Sequence, residues 1–153
     1  MNNYIRELKK SKKLILSINK KNNFFKFKKP YIIAGPCSIE SEKMIINFAK
    51  KLKIAGVNAI RAGAYKPATF PVRKKINGWQ EGLKKDGLRY LLEVKKITNL
   101  PIVSEIMDQN QYDNLADEAI DIIQVGTRNF QNYTLLDFLG SLNKPILLKR
   151  GTW

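Results

Sequence analysis

Histidine does not occur in this 153-residue sequence. Its absence excludes, within the chain, Ser-His-Asp and Cys-His catalysis and any His-ligated metal site. Cysteine occurs once, at Cys37. No intramolecular disulfide is possible, and the thiol is a packing residue, a nucleophile or one ligand of a metal; a single thiol also suits a reducing compartment. No apolar stretch approaches the length of a membrane span. The basic N-terminal segment has an apolar part only over 14–18, with no small-residue cleavage site behind it, so no membrane partner and a cytoplasmic location are expected. Acidic residues are scarce, 13 against 28 basic ones, for a formal charge of +15. Within the basic set, lysine outnumbers arginine 22 to six. Such an excess reads as compositional drift of the surface. The arginines (6, 61, 73, 89, 128 and 150) carry more information, because bidentate anion recognition favours them.

What is present is enough for a folded domain: 44% of residues are hydrophobic, and the length allows one core. KLILSI and FFKFKK, either side of Asn22 and Asn23, suggest a β-hairpin over 14–29. From residue 31 the chain keeps one rhythm. Apolar runs at 31–34, 59–61, 102–105, 122–125 and 146–149 are continuous rather than alternating, as parallel strands covered on both faces require. Between them lie helical stripes: Met44, Ile45, Phe48, Ala49 and Leu52, ended by Gly56; Leu88, Leu91, Leu92 and Ile97, stopped before Pro101; Tyr112, Leu115, Ala116 and Ala119; and Leu135, Leu136 and Leu139, ended at Gly140. Repeated strand–helix units predict an α/β fold with a parallel sheet. The expected division is a basic extension with the hairpin (1–30), followed by the α/β domain (31–153).

Polar residues gather at the C-terminal ends of these strands. Cys37 follows the first, Arg61 ends the second, Glu105 and Asp108 end or follow the third, Arg128 follows the fourth, and Lys149 and Arg150 close the fifth. In parallel α/β folds that edge carries the ligand site, whether the sheet is open or closed. Its balance of cations over acids points to anionic substrates.

Five motifs occur in order: GPCSIES at 35–41, IRAGAYKPATFP at 60–71, VSEIMD at 103–108, IIQVGTRNFQN at 122–132 and PILLKRG at 145–151. Together they resemble the barrel of the 3-deoxy-D-arabino-heptulosonate 7-phosphate (DAHP) synthase family, in the branch shared with 3-deoxy-octulosonate 8-phosphate synthase. The resemblance runs from about residue 31 to 151. It implies part of a TIM (β/α)8 barrel, and the aldol-type condensation of phosphoenolpyruvate with a phosphorylated aldose, erythrose 4-phosphate, at the start of the shikimate pathway. It also implies a divalent metal (Mn, Fe, Zn or similar), acting as Lewis acid and template. Cys37 resembles the family's metal ligand. Arg61 and Lys66 resemble residues that face phosphoenolpyruvate, with Lys66 beside its reacting carbons as the catalytic candidate. Arg128 and Lys149 resemble the pair that holds its phosphate, and Thr69 a residue gripping the aldose phosphate. Glu105 aligns with the family acid, or simply pairs with a rim cation. Gln124, Asn129 and Asp108 read as structural. A homo-oligomer is implied for the full-length family.

Two departures qualify that implication. Where the family has an arginine before Thr69, this chain has Ala68, so the acceptor sugar is open; Arg73, or Lys74 with Lys75, is a candidate substitute. A (β/α)8 barrel also takes about 250 residues, and the family's remaining metal ligands, a histidine, a glutamate and an aspartate, belong to later strands. The chain is therefore expected to be an inactive fragment, or one part of a split enzyme with a complementing C-terminal half. Lys66-Pro67 followed by Thr69 favours the heptulosonate branch. The alternatives are an octulosonate phosphate synthase or other sugar-acid synthase, and a non-catalytic basic protein that binds nucleic acid or a partner. No zinc-finger or RNP signature supports nucleic-acid binding.

Overall fold

The computed structural model describes residues 16–17, 24–25, 30–66 and 82–151. Two short strands, β1 (Leu16–Ser17) and β2 (Phe24–Phe25), pair antiparallel, with Leu16 opposite Phe25, in agreement with the expected hairpin. Five further strands follow: β3 (Ile33–Ala34), β4 (Ala59–Arg61), β5 (Ile102–Glu105), β6 (Ile122–Val125) and β7 (Ile146–Leu148). They form one parallel sheet in sequential order, β3-β4-β5-β6-β7. Sequential order is what right-handed crossovers between neighbouring strands produce.

Four helices make the crossovers: α1 (Glu42–Ile54), α2 (Lys84–Thr98), α3 (Asn114–Ala119) and α4 (Tyr133–Ser141). Three have a side-chain cap that satisfies an otherwise orphaned N–H. Ser41 Oγ accepts from Met44 N, Asp113 Oδ1 from Ala116 N and Asn132 Oδ1 from Leu135 N. α1 ends where Gly56 turns into the left-handed region at φ +77°, as expected.

All four helices contribute to one large core with the outward sheet residues, which include Ile60, Ile102, Ile123 and Val125. The opposite face of the sheet has its own smaller cluster of Ala59, Val103 and Ile122, flanked by Tyr31, Ile33 and Leu147. Helices on one face and a separate side-chain cluster on the other distinguish a barrel wall from a doubly wound sheet, which has helices on both faces. This also explains the continuous apolar runs: both faces of β5 and β6 are buried.

Three local expectations need correction. α4 passes through Gly140 and ends at Ser141, because Gly140 keeps a right-handed backbone and its missing Cβ faces open space. In α2 the buried stripe is Leu88, Leu91, Val94 and Thr98, whereas Ile97 is 39% exposed. Val94 lies three residues past Leu91, on the same face; Ile97, six past Leu91, lies well off it. The fifth strand ends at Leu148, and Lys149 lies just beyond. Among the described residues no helix is long and apolar enough to cross a membrane.

Candidate functional site

The C-terminal edge of the sheet is shaped first by close backbone crossings. Gly35, at φ +149°, lies so near the end of β4 that a Cβ there would be 1.9 Å from the Arg61 carbonyl oxygen. A Cβ on Gly63 would meet the Cys37 carbonyl oxygen at 2.7 Å, and Ile39 N donates to Gly63 O at 3.0 Å. The loop leaving β3 is thereby laid directly over the loop leaving β4. The GP of GPCS and the AG of RAGAY are the sequence trace of that crossing.

Its chemical result is a thiol beside two cations. Lys66 Nζ stands 2.7 Å from Cys37 Sγ and donates to it. Arg61 Nη2 is 4.0 Å away, a Coulombic neighbour rather than a hydrogen-bond donor. The Lys66 hydrogen bond, opposed by partial burial and reinforced by the charges of Lys66 and Arg61, holds the Cys37 thiol below its ordinary range. Three of the expected site residues, from two different crossovers, are thus in one place.

Ser104, which the sequence did not single out, fixes the Lys66 segment. Its buried Oγ accepts from Ala64 N at 3.3 Å, tying β5 to the chain two residues before Lys66. Lys84 N donates to Ala64 O at 2.9 Å, and Tyr65 bridges Gly82. Residues 65 and 82 are therefore neighbours. Thr69, Ala68, Arg73, Lys74 and Lys75 lie between them, outside the described residues.

Glu105 ends β5 and is 7% exposed; its register partner on β6, Gln124, is 3% exposed. Gln124 Nε2 donates to Glu105 Oε2 at 3.0 Å. The other carboxylate oxygen occupies the space a side chain at Gly126 would need, 2.1 Å from an ideal Cβ. Gln124 thus has a structural role: it orients the buried acid. Arg128 sits on a single 3₁₀ turn, Thr127–Asn129, directly after β6. Lys149 follows β7, and its backbone N donates to Val125 O at 3.0 Å, so the two residues leave adjacent strand ends. Both side chains are exposed. Asp108 and Asn129 have structural roles: Asp108 Oδ1 caps its own turn by accepting from Asn110 N, and Asn129 N closes the Arg128 turn onto Gly126 O.

A divalent cation needs several hard or borderline donors around it. Among the described residues no group of three or more Cys, Asp or Glu could hold one. Cys37 is a single sulfur donor already facing an ammonium. The described residues do not by themselves fit the metal. What the edge can do unaided is bind anions: cations rise from β4, β6 and β7 around an acid oriented by Gln124.

The fold agrees with comparisons to known proteins. Residues 17–153 match the DAHP synthetase I family. A Thermotoga maritima protein named phospho-2-dehydro-3-deoxyheptonate aldolase is 44% identical over 120 residues, covering 78% of this chain and 33% of that protein. A 2-dehydro-3-deoxyphosphooctonate aldolase of Syntrophotalea carbinolica is 32% identical over 122 residues, covering 78% and 43%. The crystal structure of a Thermotoga maritima phospho-2-dehydro-3-deoxyheptonate aldolase (DAHP synthase) superimposes with a TM-score of 0.73 at 38% identity, over 90% of this chain and 37% of that one. A truncated form of 3-deoxy-D-arabino-heptulosonate 7-phosphate synthase from Thermotoga maritima gives 0.68 at 34% identity, over 90% and 45%. This chain spans less than half the length of each of these relatives.

Proposed function

Because the chain belongs to the DAHP synthetase I family, we propose that its sheet edge forms the phosphoenolpyruvate-binding part of a DAHP synthase site. The reaction is the condensation of phosphoenolpyruvate with erythrose 4-phosphate. The single observation that carries this reading is the ordered edge itself. Arg61 and Lys66 meet at the end of β4, and Arg128 and Lys149 leave the ends of β6 and β7, with Glu105 and Gln124 between them.

In this reading Arg128 and Lys149 hold the phosphate, where a guanidinium fork and a point ammonium share the oxygens of one dianion. Arg61 and Lys66 hold the carboxylate. The enol carbon of phosphoenolpyruvate then attacks the aldehyde carbon of the sugar. Water adds to the resulting cationic carbon and phosphate departs. Fixed cations at both ends of the substrate orient it for attack. The family implies a divalent metal with Cys37 as one ligand, which would supply Lewis-acid activation of the aldehyde; the described residues bring together no group of three or more donors for it. Thr69 is the proposed contact for the acceptor's phosphate. The stronger likeness to a heptonate aldolase than to an octonate aldolase, 44% against 32% identity, favours erythrose 4-phosphate as that acceptor.

Titration of the chain with phosphoenolpyruvate tests the reading. Binding should be measurable, and Arg128→Ala should weaken it by about tenfold, the loss of one charge-assisted contact worth about 1.4 kcal/mol. Equal affinities for the two proteins would reject the assignment of the phosphate end.

A further inference from the structure

We propose that Phe130 is a positioning residue for the phosphate end: its ring, lodged against Gly151, sets the spacing between the turn that carries Arg128 and the strand end that carries Lys149. This rests on the phosphate-binding reading of Arg128 and Lys149 given above.

The last ladder contact between the two segments is Lys149 N to Val125 O at 3.0 Å. Beyond it the β6 side turns away through Thr127–Asn129 while the β7 side continues to Gly151. There Phe130 meets the β7 side again. A Cβ at Gly151 would stand 2.4 Å from Phe130 Cε1 and 3.0 Å from both Cδ1 and Cζ. The ring therefore lies against the bare Cα of Gly151, a place only glycine leaves open.

The turn is itself closed by Asn129 N to Gly126 O at 2.9 Å and Asn132 N to Asn129 O at 3.0 Å. A displaced ring consequently moves the turn, and Arg128 two residues away, as a unit. Gly151 is likewise two residues beyond Lys149. The contact is thus placed symmetrically with respect to the two cations. Shared coordination of one phosphate needs both within hydrogen-bond distance of its oxygens, so small changes in their separation are costly.

The experiment is titration of the full chain with inorganic phosphate, at a temperature where each variant is shown to be folded by circular dichroism. The proteins are wild type, Gly151→Ala, Phe130→Ala, the double variant and Arg128→Ala. Gly151→Ala and Phe130→Ala should each weaken phosphate binding by about fivefold, and the double variant should be no weaker than the poorer single one, since both changes break one contact. A role in stability alone would lower the unfolding temperature and leave phosphate affinity untouched. Wild-type affinity in folded Gly151→Ala or Phe130→Ala, or additive losses in the double variant, would overturn the proposal. If Gly151→Ala does not fold, Phe130→Ala decides alone by the same criterion. If Arg128→Ala binds phosphate as wild type does, the underlying reading fails and the positioning role with it. Loss in Arg128→Ala without loss in the Phe130 and Gly151 variants rejects the positioning role only.

Discussion

The two ends of the parallel sheet treat charge in opposite ways. Near the N-terminal ends of the strands the half-buried charges have partners. Asp121, just before β6, accepts from Lys95 Nζ at 2.8 Å with one oxygen and from Ile102 N at 2.9 Å with the other, and Lys95 also reaches Glu118 O. Lys144, just before β7, donates to the Asp117 and Ile120 carbonyls and pairs with the Asp117 carboxylate at 3.0 Å. Burial pushes the Lys144 ammonium down while Asp117 opposes that shift. At the C-terminal ends, among the described residues, Arg61, Lys66 and Lys149 form no ion pair with a carboxylate. Two of those cations instead crowd one sulfur. Networks that satisfy every polar group stabilise a fold. Cations without a carboxylate partner are available to an anion, as the proposed phosphoenolpyruvate site requires. One end pairs its charges within the fold, and the other is the end proposed to take a ligand.

The sharpest way to break this contrast is at the closed end. Asp121→Ala removes the carboxylate partner of Lys95 and leaves Ile102 N without its side-chain acceptor, so urea denaturation should show a loss of about 2 to 3 kcal/mol. Phosphoenolpyruvate affinity of the protein that remains folded should be unchanged. A stability loss below about 0.5 kcal/mol would mean the network is ordinary surface pairing.

At the open end the expected effects on stability are smaller. Ser104→Ala removes the acceptor of Ala64 N and should cost about 1 kcal/mol in the same assay. Because Ser104 anchors the segment leading to Lys66, this variant should also weaken phosphoenolpyruvate binding, which Asp121→Ala does not. Equal ligand affinity in both variants would erase the contrast.

Lys66→Met should leave the fold intact and move one titration. Lys66 depresses the Cys37 thiol through its hydrogen bond, so removing the ammonium should shift the pH profile of iodoacetamide alkylation upward. A depressed acid stabilises the folded state fully above the ordinary thiol value, and that contribution disappears as pH falls through the lowered one. An unmoved alkylation profile would show that Lys66 does not control the thiol.

The strands and their order were legible in the sequence because a barrel wall buries both faces, and runs such as IVSE and IIQV have few polar interruptions. The cations at their ends were legible because position relative to a strand end depends only on counting. Ile97 and Gly140 misled for a shared reason. Apolar periodicity and glycine identity report local preference, whereas the neighbouring elements decide which side of α2 is covered, and a glycine that keeps a right-handed backbone lets α4 run on. Ser104 and the Phe130–Gly151 contact were not legible at all. Each depends on two segments, 40 residues apart for Ala64 and Ser104, meeting at hydrogen-bond or van der Waals distance. No single-segment pattern encodes such a meeting. Cys37 is intermediate: its position after Gly-Pro was visible, and its 2.7 Å contact with Lys66 was not.

The claim that the open end is one site for a two-headed anion is tested most directly by comparing phosphoenolpyruvate with inorganic phosphate on wild type and Arg61→Ala. Wild type should prefer phosphoenolpyruvate by about tenfold, because the carboxylate adds contacts at the β4 end. Arg61→Ala should remove most of that preference while leaving inorganic phosphate affinity as it was. A preference retained in full by Arg61→Ala, or a parallel fall in both affinities, would contradict a single site with its carboxylate end at β4 and its phosphate end at β6 and β7.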